Sequence, residues 1–254
     1  DVDMGNISSI MTLNGDTKID TYDMVIHDGL CKDINSLNGN WYAPNGLSQY
    51  GVWWVEDSKL RMVNVEQDQY PSNGDHVRIL SKLTTPENFV MSVTFIVKDI
   101  PPDYRNNIIL RNYWENKRNN TFVRIAWDFD NVYDPGHDQT LLYINSEYGF
   151  FGLQRVYPFE RYFKQGQEPS NKIARKEFHL KKGKTYEVNI MVKGQYAKAI
   201  IYEKWPLFSR KKAEVDYLFE KPRPKQPYPF SIESTGNIEI LIDSVKIKEF
   251  TENE

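Results

Sequence analysis

Tyr186-Glu187-Val188-Asn189-Ile190-Met191-Val192 and Ala197-Lys198-Ala199-Ile200-Ile201-Tyr202 stand on either side of Lys193-Gly194-Gln195. Both runs bring an apolar residue back at every second position, the period of a strand with one face buried and one face wet. The glycine between them sits where a tight hairpin needs a backbone conformation that side chains resist. This stretch predicts two antiparallel strands joined by a short turn. It sets the pattern for the rest of the chain.

Working outward, the same signal recurs. Trp53-Trp54-Val55 passes through Glu56-Asp57-Ser58 into Lys59-Leu60-Arg61-Met62-Val63, a second hairpin. Further strand runs are His76–Leu80, Phe89–Val97, Ile108–Arg111, Phe122–Trp127, Leu141–Ile144, Gly149–Tyr157, Phe230–Ile232, Ile238–Ile242 and Val245–Ile247. No long segment places apolar residues at i, i+3 and i+4, so no amphipathic helix is expected. Strands at this spacing without helices between them mean an all-β sandwich or barrel. Residues 1–40 are polar and read as an irregular or edge-strand lead-in. Residues 158–175, and residues 204–229 with Pro206, Pro222, Pro224, Pro227 and Pro229, read as interruptions between strands. Strand signals resume at once after each and no internal repeat occurs, so the expectation is one domain over 1–254 with its sandwich core at 41–250.

Composition narrows the function classes. With 254 residues the chain can bury a core without a disulfide or metal staple. Its single cysteine, Cys31, excludes an internal disulfide and a cysteine-built zinc site. A net charge of −3 supplies no field for collecting phosphates, which argues against nucleic acid as a partner. No apolar run approaches the length of a bilayer crossing, so no membrane insertion is expected. The chain begins at Asp1 without a leader, as a mature secreted form or a piece of a larger protein would. Asn6-Ile7-Ser8 and Asn119-Asn120-Thr121 match the glycosylation acceptor pattern, and a secreted or cell-surface setting is the expectation.

Three segments carry a family resemblance: Trp41 followed by Trp54-Val55-Glu56-Asp57-Ser58-Lys59-Leu60; Lys181-Lys182-Gly183-Lys184-Thr185-Tyr186-Glu187-Val188; and Ile240-Leu241-Ile242-Asp243-Ser244-Val245-Lys246-Ile247. Together they resemble the concanavalin A-like lectin/glucanase superfamily, particularly its laminin G-like branch, across roughly residues 41–250. Ser58 stands where that pattern usually has glycine. The resemblance implies a two-sheet antiparallel jelly-roll sandwich with Trp41 and Trp54 in the core. It also implies a fold that hosts lectins, hydrolases, lyases and adhesion modules. Glucanases of this superfamily carry a Glu-x-Asp-x-x-Glu strand, which is absent here, so a retaining glucanase of that type is not expected.

The richest polar segment is Arg124-Ile125-Ala126-Trp127-Asp128-Phe129-Asp130. Alternation puts Arg124, Asp128 and Asp130 on one face, opposite Val123, Ile125, Trp127 and Phe129. A face with an arginine and two carboxylates is costly to bury dry, so it should border solvent or a cleft. Arg111 and Tyr113 on the preceding run and Tyr143 on the following one are candidates to complete a polar-aromatic groove, with Trp114 as a stacking platform. An oligo- or polysaccharide is then the expected partner; a protein partner is the expectation if the face is only a solvated surface. Should the protein be a glycoside hydrolase or lyase, carboxylates from separate strands would do the chemistry, Asp128, Asp130 and Glu147 being nearest. Asp128, Asp130, Asp134 and Asp138 also gather oxygen ligands of the kind Ca²⁺ takes, although without EF-hand spacing, and acidic loops are commonly just solvated. His27, His76, His137 and His179 show no metal-ligand spacing.

Overall fold

The computed structural model describes residues 9–11, 41–42, 51–56, 59–64, 77–98, 122–128, 139–145, 149–156, 174–220, 229–235 and 239–249. In chain order the strands are β1 (Ser9–Met11), β2 (Trp41–Tyr42), β3 (Gly51–Glu56), β4 (Lys59–Asn64), β5 (Val77–Thr84), β6 (Phe89–Lys98), β7 (Phe122–Trp127) and β8 (Gln139–Asn145). There follow β9 (Phe150–Val156), β10 (Ala174–Glu177), β11 (Thr185–Lys193), β12 (Tyr196–Lys204), β13 (Ser209–Leu218), β14 (Pro229–Thr235) and β15 (Glu239–Glu249). Every pairing is antiparallel, and the strands form two sheets. Sheet A has the order β13-β12-β11-β6-β15-β4-β3, with β1 added against β15; sheet B has the order β10-β9-β8-β7-β14-β5-β2. This is the expected all-β, two-sheet jelly-roll sandwich.

The core lies between the sheets and is built by the period of two. Along β11 Tyr186, Val188, Ile190 and Val192 are buried, along β12 Ala197, Ala199 and Ile201, and along β7 Val123, Ile125 and Trp127. Phe95, Tyr186, Phe178 and Phe151 make a run of tilted and edge-on ring contacts, centroids 5.7–6.3 Å apart, that joins sheet A to sheet B. The hairpin that opens the sequence argument forms as read. Lys193 pairs with Tyr196 across a two-residue loop. Gly194 takes a φ of 54°, and the Asn88 carboxamide oxygen accepts its N–H at 2.9 Å. Glycine first in a two-residue loop is what a type II′ turn demands.

The edges depart from expectation. Residues 204–229 are not simply an interruption, because β13 lies within them and forms the edge of sheet A. Its Ser209-Arg210-Lys211-Lys212 half is exposed, and of its residues only Ala213 and Val215 are buried. An edge strand studded with lysine lacks the apolar alternation that marks inner strands, and it discourages edge-to-edge aggregation for the same reason. β10 likewise begins inside the stretch 158–175 and edges sheet B. The lead-in contributes β1, with Ser9 opposite Ile247 and Met11 opposite Val245. Trp41 and Trp54 lie on β2 and β3, but their side chains, and so their expected burial, fall outside what is described.

Gly149 enters β9 with a φ of 63°, and its carbonyl accepts the Phe178 N–H at 2.9 Å. A Cβ added there would clash with Cε1 and Nε2 of His179. Gly149→Ala is expected to destabilise the protein by about 1–3 kcal/mol, from left-handed strain plus the clash. In a His179→Ala background the clash is relieved and about 1–2 kcal/mol should remain, the cost of a left-handed Cβ. Denaturant midpoints of the four proteins check this.

Candidate functional site

The candidate site is the face of sheet B that looks away from the core. It is organised by register. Glu233 of β14 stands opposite Arg124 of β7, Arg124 opposite Tyr143 of β8, Tyr143 opposite Gly152 of β9, and Gly152 opposite Arg175 of β10. On the far side Arg78 of β5 stands opposite Glu233. Directly opposed residues in antiparallel strands share a face, so one row of cations, carboxylate and phenol crosses the sheet.

Within that row Arg124 Nη1 donates to Glu233 Oε2 at 3.1 Å, and the guanidinium carbon lies 5.3 Å from the centre of the Tyr143 ring. Ser231 Oγ donates to the other Glu233 oxygen at 3.1 Å. Asn145 Nδ2 donates to the Tyr143 hydroxyl at 3.3 Å, and the Tyr143 ring meets Phe150 edge-on at 5.4 Å. Ala126 and Leu141 form a small apolar floor against which Tyr143 packs. Burial raises the Tyr143 phenol above its ordinary range, although Arg124 and the Asn145 hydrogen bond pull the other way. The phenol therefore stays protonated at neutral pH and can donate as well as accept.

Burial decides the character of this face. Glu233 and Ser231 are fully buried although they point away from the sandwich core, and only 19% of the Arg124 side chain is exposed. Glu233, at 0% exposure, is shielded from solvent on this face. The outer face of sheet A also carries ion pairs: Lys198–Glu214 at 2.6 Å, Lys204–Glu187 at 2.7 Å, Lys59–Asp243 at 3.3 Å and Arg61–Glu239 at 3.0 Å. The first three are partly exposed pairs of the kind that contribute little to stability. Tyr202 likewise stands between Glu187 and Lys211 on sheet A. What marks the sheet B row is the Arg124 guanidinium held between the buried Glu233 and the Tyr143 ring.

Asp128 is placed differently from the alternation argument. Its φ of 63° ends the strand period, and its Oδ2 accepts the Thr140 hydroxyl at 3.3 Å. Thr140 belongs with Leu142 and Ile144 on the core side of β8, and Asp128 is itself buried. Asp128 thus leaves the face of Arg124 and does not join Tyr143. Arg111, Tyr113, Trp114, Asp130, Asp134, Asp138 and Glu147, with Cys31, His27, His76 and His137, lie outside the described residues. Among the described residues no three of His, Cys, Asp or Glu come together as a metal site. Glu233 and Ser231 are the site residues the sequence reading passed over. The available signal was the order Phe230-Ser231-Ile232-Glu233, in which the polar residues share the face opposite two apolar ones.

No family model and no curated protein matches the chain. Solved structures do. One, from work on endo-acting O-glycanases that prominent members of the human gut microbiota express to initiate mucin breakdown, superposes with a TM-score of 0.54 at 13% identity, covering 97% of this chain and 100% of that one. The VIP36 exoplasmic/lumenal domain in its Ca²⁺/Man3GlcNAc-bound form gives a TM-score of 0.53 at 11% identity, covering 87% of this chain and 90% of that one. Likeness at such identities speaks to architecture. The chain shares the concanavalin A-like β-sandwich fold of these structures.

Proposed function

We propose that the protein is a carbohydrate-binding β-sandwich that holds an oligo- or polysaccharide on the outer face of sheet B. The observation that carries the reading is the cross-strand row of Glu233, Arg124 and Tyr143, a guanidinium and a phenol held in place beside an aromatic ring outside the core. Sugars offer hydroxyl groups that need oriented donors and acceptors, and C–H faces that suit aromatic rings. Arg124 and Tyr143 supply the first, Tyr143, backed by the buried Phe150, the second, and exposed Arg175 extends the row to the sheet edge. Arg111, Tyr113 and Trp114 are assigned to the same ligand. The laminin G-like branch and a secreted or cell-surface setting accord with this function. Among the described residues no helix is long and apolar enough to cross a membrane.

Arg175→Ala is the cleanest test, because the side chain is exposed at a sheet edge. Glycan-array screening of the full chain should identify a ligand, and affinity electrophoresis against it should show the variant retained about 10-fold more weakly, the loss of one charge-assisted hydrogen bond. Its melting temperature should not move. No binding and no turnover across a broad array would reject the reading in favour of a protein-interaction module. Asp128, with Asp130, Asp134 and Asp138, remains the candidate Ca²⁺ set, and the Asp128 carboxylate oxygen that takes the Thr140 hydroxyl is already engaged. Chelation decides the matter: a lowered melting temperature keeps the ion and an unchanged one removes it, since a ligand bound only by the native state stabilises it.

A further inference from the structure

The β12–β13 hairpin ends in Trp205-Pro206-Leu207-Phe208, where the Trp205 N–H donates to the Phe208 carbonyl at 2.8 Å. The turn is closed by its own backbone, yet its apolar side chains face outward. Leu207 is 96% exposed, Phe208 61% and Trp205 44%. Trp205 and Phe208 stack on each other at 5.8 Å with an interplanar angle of 11°, and Lys184 Nζ lies 4.3 Å from the centre of the Trp205 ring. Three large apolar residues projecting together from a tight turn are not needed for the core, which the same strands serve with Ala197, Ala199, Ile201, Ala213 and Val215.

The charge around this tip is one-sided. Lys184 of the preceding loop lies against Trp205, and Lys181 and Lys182 belong to the same loop, which leads into Thr185 opposite Lys204. Lys204, Arg210, Lys211 and Lys212 flank the turn on the hairpin itself. The neighbouring carboxylates are Glu187, Glu203 and Glu214. Among the described residues, this hairpin tip and the loop that leads into Thr185 carry seven cations, and three carboxylates pair with them, in a chain whose net charge is −3. Glu203 is buried beneath Lys184 and Lys212, at 3.5 and 3.2 Å, so it anchors the cations rather than presenting an anionic surface.

We infer that this tip docks on an anionic lipid bilayer surface, with Leu207, Phe208 and Trp205 entering the headgroup boundary and the surrounding lysines and arginine facing the lipid phosphates and carboxylates. An apolar tip inside a cationic ring is the complement of such a surface, which offers hydrocarbon beneath anionic headgroups. Aromatic side chains of this kind favour the level of the headgroups. A soluble polyanion would use the cations and leave Leu207 without a role. The contact is peripheral: the chain lies on the membrane and does not span it.

The test is co-sedimentation of the full chain with phosphatidylcholine vesicles, with and without phosphatidylserine. Binding should need phosphatidylserine and weaken with salt. Leu207→Asp should lower partitioning roughly tenfold or more, because it removes a buried aliphatic side chain and adds repulsion. Lys181→Gln/Arg210→Gln should lower it about 25-fold, at about fivefold for each cation near an anionic surface. Both variants are exposed and should keep the parent melting temperature and the parent glycan retention. Absent binding, equal binding to both vesicle types, or phosphatidylserine binding that survives Leu207→Asp would overturn the inference. So would a dimer, seen by sedimentation, that Leu207→Asp dissociates, since the tip would then be covered by a second copy.

Discussion

Arg124→Ala should destabilise the protein by about 3–5 kcal/mol, the usual consequence of withdrawing one member of a buried charged pair. Glu233 is fully buried, and Arg124 Nη1 reaches it at 3.1 Å. Without the guanidinium, the carboxylate keeps its desolvation cost and loses the cation that compensates it. Ser231 still donates to Glu233, but a neutral hydroxyl offsets only part of a buried charge. Denaturant unfolding would show a lower midpoint at unchanged slope. The double variant Arg124→Met/Glu233→Gln should recover much of the loss, because it removes the charge while leaving an amide oxygen for Ser231. A loss under about 1 kcal/mol would mean that another cation holds Glu233, and Arg78, opposite it in register, is the one to examine next. The consequence for function is practical: Arg124→Ala confounds binding with stability, which is why Arg175 is the better probe of the sheet B face.

Trp127→Ala should cost about 3–5 kcal/mol as well, by a different route. Trp127 is completely buried and meets Phe89 of the opposite sheet edge-on, ring centroids 6.3 Å apart. Its removal leaves a cavity between two sheets whose hydrogen-bonded backbones cannot close over it. At about 2–4 °C per kcal/mol for a chain of this size, the melting temperature should fall by roughly 6–20 °C. Trp127→Phe should lose clearly less, since a smaller ring still fills part of the space. If Trp127→Ala melted within a degree or two of the parent, the sheets would not be packed as described.

The face to which each residue of an inner strand belongs was legible in the sequence. Val123, Ile125 and Trp127 were assigned to the core and lie there, and Arg124 was assigned outward and lies outward. The assignment held because side chains alternate with a period of two, a property of the backbone that needs no partner. It failed at Asp128, where a φ of 63° ends the period, and at β13, where exposed lysines leave too few apolar positions to show one. A left-handed residue and an edge strand are both set by what surrounds the chain, and neither writes a periodic signal.

By itself, then, the sequence determined an all-β sandwich or barrel, the faces of its inner strands, and a turn at Gly194. These follow from local periodicity and from one residue type that tolerates a positive φ. The choice of sandwich came from the resemblance, and the two-residue length of the turn from the structure. The tertiary structure alone decided which strands are neighbours. Hydrogen-bond ladders are made by backbone groups that every residue carries, so nothing in the residues near Arg124 names its partner on β14, 109 positions away. The row from Glu233 through Arg124 to Tyr143, and the placing of Lys184 against Trp205, exist only because distant strands were brought into register.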